Sequence, residues 1–268
     1  MPITLTPVSH EGVCIGNRWQ IIDYNKLVSM ISRLAMGSYL HVERVINQLS
    51  SIPPSVVPTA AEQARRRLSA PTNDQQRYHR DGWIFQMISW IAAQVAEPGG
   101  YLAAPPHCRA ADKGFDCILI PTTEIDTRVE SVILCEDKAT DNPRNLVTQQ
   151  VWPEIVMLEG GGRDAELISE VTTLLRGRVS DEDVERITQG IYWDKSRHYR
   201  VSLTLPTSCS NHSEREAIFR GYNVKAPGAI ERRRAESLEL ANLRIWMDQV
   251  AADCLAHIQS LSSQTQNV

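Results

Sequence analysis

Three side chains in the middle of the chain, Asp116, Glu136 and Lys138, have the types and spacing to do chemistry together. Glu136 and Lys138 stand two apart at the end of the apolar run Val132-Ile133-Leu134-Cys135. On an extended strand they leave one face while Asp137 points to the other. A second run, Phe115 to Ile120, puts Asp116 on the face of Ile118 and Ile120, and a hairpin turning within Pro121 to Arg128 sets Asp116 close to Glu136. Two carboxylates with a backbone carbonyl, such as that of Asp137, are hard oxygen donors of the kind Mg2+ or Mn2+ takes. Such an ion would neutralise a non-bridging phosphate oxygen and acidify an attacking water, which is what phosphodiester cleavage lacks in bulk water. The Lys138 ammonium would help to deprotonate that water or stabilise charge on phosphorus. The plainer reading is a surface ion pair between Glu136 and Lys138 at a strand end, with Asp116 capping a turn.

Several elements must position these residues. Apolar spacing predicts a helix from about Asp23 to Leu49 after a short strand or loop around Val13 to Ile15, then a breaker from Ile52-Pro53-Pro54 to Pro58. A short helix follows, Thr59 to Leu68, with Thr59 as cap and Glu62 three residues on. A long core helix runs from Asn73 or Asp74 to Ala96, stopped by Pro98-Gly99-Gly100. After the hairpin come helices from Asn142-Pro143 to Leu158, Asp164 to Arg176 and Asp181 to Gln189. A strand at His198 to Leu205, a loop at Pro206 to His212 and a final helix from Ile230 to Ile258 complete the series. The expected class is α/β (α+β), a small mixed sheet flanked by helices. Residues 1–58 read as an N-terminal helical appendage, 59–210 as the core and 211–268 as a C-terminal helical segment, with a disordered Ser/Gln-rich tail from Ser260.

Gly114-Phe115-Asp116 on one strand, followed twenty residues later by a strand ending Glu136-Asp137-Lys138 and then by a helix, resembles the PD-(D/E)xK nuclease superfamily. The resemblance covers about Asn73 to Leu158 and implies a restriction-endonuclease-like core with helical additions at both ends. It implies that Asp116 and Glu136 bind metal and that Lys138 is catalytic; the Asp137 carbonyl remains the third metal donor read from the residues themselves. Members often carry a glutamate on the helix before the first strand; here Gly82-Trp83-Ile84-Phe85-Gln86 has glutamine, which fits a one-metal site. Members also often have a glutamine on the helix after the lysine, implying a role for Gln150 or Gln149 in placing the water. The proline of the superfamily's name is absent before Asp116.

A nuclease domain with helical additions, the segment Cys14 to Trp19 and the Glu136/Lys138 spacing also resemble bacterial defence effectors. Among these is the nuclease subunit of the Hachiman antiphage system, which works with a helicase. DNA, a helicase or ATPase partner, and a homodimer are the implied associations. A type II-like restriction endonuclease and a non-catalytic nuclease-fold module binding DNA or protein are the competing readings.

Other motifs carry less. His107-Cys108 and Cys209-x-x-His212 are fragments of a zinc pattern without a second Cys-x-x-Cys pair. Gly160 to Gly162 lacks the Gly-Lys-Ser/Thr of a phosphate loop and reads as a helix stop. Ser208 and Ser210 near His212 have no nucleophile elbow around them. Arg65-Arg66-Arg67 and Arg232-Arg233-Arg234 are either DNA contacts or solvated helix faces, and Tyr192-Trp193 and Tyr199 among basic residues are either stacking platforms or strand core.

The 268 residues hold 28 Lys+Arg against 32 Asp+Glu, a net charge of −4 that argues against a polybasic binder of nucleic acid while leaving local patches open. Only five residues are lysine, so a lysine inside a motif stands out. With 42% hydrophobic and 22% charged residues the chain is of ordinary globular composition. Six scattered cysteines and the lack of a long apolar run or signal pattern lead to the expectation of a cytoplasmic protein without disulfides or membrane contact.

Overall fold

A computed structural model describes the chain except residues 107–113, 123–128, 130, 191–192, 210 and 266–268. The His107-Cys108 fragment, Ser210, Tyr192, most of the turn after Pro121 and the end of the tail lie outside the described residues. The elements are β1 (Ile3–His10), β2 (Cys14–Ile21), α1 (Tyr24–Ala35), α2 (Tyr39–Ile46), α3 (Pro58–Leu68), α4 (Asp74–Ala96), β3 (Tyr101–Ala103), β4 (Cys117–Pro121) and β5 (Val132–Lys138). After these come α5 (Pro143–Leu146), a π-helical turn (Val147–Val151), α6 (Trp152–Glu159), α7 (Asp164–Leu175), α8 (Asp181–Gly190), α9 (Trp193–Ser196) and β6 (Arg197–Pro206). Then follow α10 (His212–Phe219), α11 (Tyr222–Lys225), β7 (Arg233–Leu240) and α12 (Leu243–Thr265).

One seven-stranded mixed sheet, ordered β1-β2-β7-β6-β5-β4-β3, carries the fold. Its ends are antiparallel hairpins, whereas β2, β7, β6 and β5 run parallel. Parallel strands are buried on both faces and need long crossovers. The helices α5 to α9 connect β5 to β6, and α10 and α11 connect β6 to β7. Two apolar cores result, one on each face. The first packs α1 to α4 and α12 against Cys117, Leu119, Ile133 and Cys135; the second packs α6, α7 and α8 against Ile118, Ile120, Val132 and Leu134. The two-residue alternation along β4 and β5 is therefore a division between faces. The mixed α/β class is as expected.

The sheet crosses the boundaries expected from the sequence. Residues 1–58 supply two strands as well as helices, and 211–268 supply β7, which sits between β2 and β6. The segment Arg233 to Leu240, expected inside a helix, is a strand because its charged side chains find buried partners. Trp19 Nε1 and Asn17 Nδ2 donate to Glu236 at 2.7 and 3.1 Å. Gly16 allows this pairing, since a Cβ there would lie 1.9 Å from the Ala235 carbonyl oxygen. The helix expected over Asp23 to Leu49 is two helices, broken at Gly37, whose φ of 83° closes α1 with a Gly37 N–H to Leu34 carbonyl bond of 2.8 Å. At α3, Pro58 occupies the first turn and Val57 precedes it, so Thr59 is not the cap; Glu62 pairs with Arg65 and Arg66. No helix among the described residues is long and apolar enough to cross a membrane.

Candidate active site

The candidate site lies where α4 crosses the ends of β4 and β5. Asn73 caps α4 by accepting from the Gln76 N–H, and the helix places His79, Gly82, Trp83 and Gln86, spaced three and four apart, along one side of a cleft of about 630 Å³. The register Cys117 opposite Cys135 and Ile118 opposite Leu134, carried one step further, sets Asp116 opposite Glu136. Asp116 stands just before β4, and its carboxylate reaches both helix and strand. Oδ1 accepts from Gln86 Nε2 at 2.5 Å, and Oδ2 accepts from the backbone N–H of Asp137 at 2.7 Å.

Lys138 joins the two carboxylates. Its Nζ is 2.6 Å from Glu136 Oε1 and 3.7 Å from Asp116 Oδ2. The three side chains are 14% (Asp116), 24% (Glu136) and 26% (Lys138) exposed, enough to be reached and too little to be fully solvated. Asp116 and Lys138 line the cleft; Glu136 sits behind Lys138, beside a small cavity shared with Phe115, Glu154 and Ile155.

Electrostatics follow from that enclosure. Burial pushes the Glu136 carboxyl up to about 7, with the Lys138 ammonium opposing and the Asp116 charge adding to the rise. Burial works against the Lys138 ammonium too, but Glu136 and Asp116 outweigh it and hold the lysine protonated beyond its ordinary range. Lys138 is thus a fixed cation in the absence of ligand, better suited to stabilising negative charge than to taking a proton.

Asp137 belongs to the opposite face, as the alternation requires. Its Oδ1 accepts from Ser89 Oγ at 2.6 Å, and the buried Arg200 guanidinium donates to the same Ser89 Oγ at 2.7 Å. Burial raises the Asp137 carboxyl to about 6 against the pull of Arg200. Its side chain is therefore removed from the candidate ligand set, because it is committed to anchoring α4 on β5, while its main-chain N–H meets Asp116 at the site.

Of the two glutamines, Gln150 lines the cleft from the π-helical turn Val147–Val151. Such one-turn widenings of a helix recur at functional sites because they re-aim a side chain. Sequence reasoning missed Tyr78, His79 and Arg244 on the cleft wall. The spacing of His79 with Gly82 and Gln86 was a usable signal on one helix face, whereas Arg244 arrives from α12 with no local sign. Arg244 is held by Asp81 at 2.6 Å and Asp141 at 3.0 Å, and lies over the Tyr78 ring.

The two basic clusters separate. Arg232 and Arg233 are buried and committed within the fold: Arg233 donates to the carbonyls of Val13, Ala226, Gly228 and Ala229, and Arg232 to that of Arg197, while the half-buried Arg234 donates to the Tyr101 hydroxyl. Arg67 of the other cluster lies over the ring of Trp83, a cleft residue, at 5.6 Å. Tyr199 is strand core, donating to Glu159 Oε1 at 2.6 Å. In comparisons with known proteins, no family model, no curated protein and no solved structure matches this chain.

Proposed function

We propose that this protein is a divalent-metal-dependent nuclease of the PD-(D/E)xK kind, hydrolysing DNA phosphodiester bonds. The observation that carries the reading is the meeting of Asp116, Glu136 and Lys138 at the paired ends of two strands, beside a cleft that also takes Gln86 and Gln150. The donor set fits a hard divalent ion. Asp116 and Glu136 bring carboxylate oxygens that stand close together around Lys138, and a bound cation would offset the burial that holds the Glu136 carboxyl up. Mg2+ or Mn2+, when bound, supplies charge neutralisation at a phosphate oxygen and an acidified water.

The chain's own residues do the rest. Asp116 and Glu136 hold the ion, and Gln86 fixes the Asp116 carboxylate by donating to it. Lys138, kept as an ammonium, stabilises charge as it grows on the phosphate. Gln150, which lines the same cleft, orients the attacking water. Gln86 is neutral where the superfamily often has a carboxylate, so it adds no charge for a second ion, which fits one-metal chemistry.

The net charge of −4 leaves DNA binding to local surface, and Arg67 beside the cleft supplies it. An antiphage role with a helicase partner belongs to the same reading and rests on resemblance, the segment Cys14 to Trp19 being strand β2.

The test is cleavage of supercoiled plasmid by purified protein, alone and with the helicase, in Mg2+ or Mn2+. Nicked and linear DNA is expected, stopped by chelation and reduced at least ~100-fold in a Glu136→Ala/Lys138→Ala variant that melts as a folded protein. No cutting of DNA or RNA under any of these conditions, or equal cutting by the variant, overturns the reading and leaves a binding module.

A further inference from the structure

Away from the cleft, the end of β1 meets α10 at a cluster that the proposed reaction does not use. His10, His212 and Glu216 each offer one ligand atom, and the three atoms lie within 4.8 Å of one another. His212 and Glu216 are one helical turn apart on α10, so both address the same point. His10 comes from the far end of the sequence, and its imidazole centroid is 4.5 Å from that of His212.

His10 is the unusual member. It is 1% exposed, and neither ring nitrogen has a hydrogen-bond partner. Buried imidazole nitrogens are ordinarily paired, and an orphaned one calls for a water or an ion. Two imidazoles and a carboxylate are the donors that zinc takes, with a fourth position left to water. Both other members are exposed, so that fourth position opens to solvent and an ion has a path in.

We propose that His10, His212 and Glu216 form a site for a borderline-soft divalent cation, Zn2+ in the first place, which clips the N-terminal hairpin to α10. Tetrahedral ligands about 2 Å from zinc stand roughly 3.3 Å apart, and the exposed His212 and Glu216 close the remaining gap by rotamer changes. Arg215 stands close by, yet its guanidinium donates to Ser237 Oγ and to the carbonyls of Asn17 and Ala235. Glu216 brings the compensating negative charge. Burial first, then Arg215 and His212, keep His10 at about 4, so its ring is neutral at neutral pH and presents a lone pair. The Cys209-x-x-His212 fragment thus contributes its histidine, with Cys209 outside the cluster.

The experiment uses the full chain, stripped with chelator and titrated with Zn2+ and, for its visible spectrum, with Co2+. With the cleft's ion removed by Asp116→Asn, one tightly held ion per chain is expected, with the intense absorption of four-coordinate Co2+ and a melting temperature raised by stoichiometric Zn2+. His212→Ala and Glu216→Gln, both surface changes that leave the core intact, should each weaken binding at least ~10-fold and abolish the thermal gain. Asp116→Asn should leave the Zn2+ response unchanged, separating this site from the cleft. Failure of the wild type to bind Zn2+ stoichiometrically, or equal binding by the His212→Ala/Glu216→Gln double variant, overturns the proposal.

Discussion

The Gln86 side chain donates its amide to Oδ1 of Asp116 at 2.5 Å, tying the middle of α4 to the start of β4. An amide here satisfies the aspartate without a cation, whereas a glutamate would oppose it. Gln86→Glu is therefore expected to lower stability in chelator by about 1–3 kcal/mol, through a lost hydrogen bond and a like-charge contact. It should then show a larger Mg2+-induced rise in melting temperature than wild type. Thermal melts with and without Mg2+ check this; a variant as stable as wild type in chelator contradicts it.

Arg67, stacked over Trp83 beside the cleft, is expected to contact a phosphate. Arg67→Ala should weaken DNA binding uniformly across sequences and reduce the slope of log K against log salt by about 1. Arg66, paired with Glu62, should show no such change when replaced by alanine. Fluorescence anisotropy over a range of salt concentrations reads both.

Ser89 holds one end of the buried Asp137 and Arg200 pair. Its replacement by alanine leaves both charged groups short of a partner, and a loss of roughly 1–3 kcal/mol in urea denaturation is expected. Asp137→Ala, which leaves the buried guanidinium with Glu236 as its remaining carboxylate and Ser89 Oγ without its acceptor, should cost about 1–3 kcal/mol. An Asp137→Ala variant close to wild type in stability would show that this network does not hold α4 to the sheet.

His198, on β6, has a buried Nδ1 without a partner; burial, followed by Arg234 and Arg232, brings it down to about 4. The unfolded chain, with an ordinary histidine near 6.5, binds the proton first as pH falls, so folding stability from this residue is complete above 6.5 and lost between 6.5 and 4. His198→Gln should flatten that part of the stability profile relative to wild type. Urea midpoints measured at intervals from pH 7 to pH 4 compare the two, and parallel profiles would contradict the assignment.

The parts of the molecule governed by local rules were legible in the sequence. Asn73 and Pro98-Gly99-Gly100 bracket α4 almost to the residue, and the two-residue alternation in β5 sends Glu136 and Lys138 to one side and Asp137 to the other. The parts governed by distant partners were not. Arg233-Arg234-Ala235-Glu236 looks like a solvated helix face until Trp19, Asn17 and four loop carbonyls are brought around it. The same holds for Arg244, which reaches the cleft only because α12 lies against α4 through Asp81 and Asp248. His10 is another such case: in the sequence it follows Val8 and Ser9 with no metal-binding pattern around it, and its partners stand some two hundred residues away.

Mn2+ binding followed by electron paramagnetic resonance tests most directly whether Asp116 and Glu136 share an ion. In the His212→Ala background, which removes the second cluster, one Mn2+ per chain should bind, and both Asp116→Asn and Glu136→Gln should each weaken it at least ~10-fold. Undiminished binding in either of these variants, or no Mn2+ bound at all, would contradict the shared-ion centre.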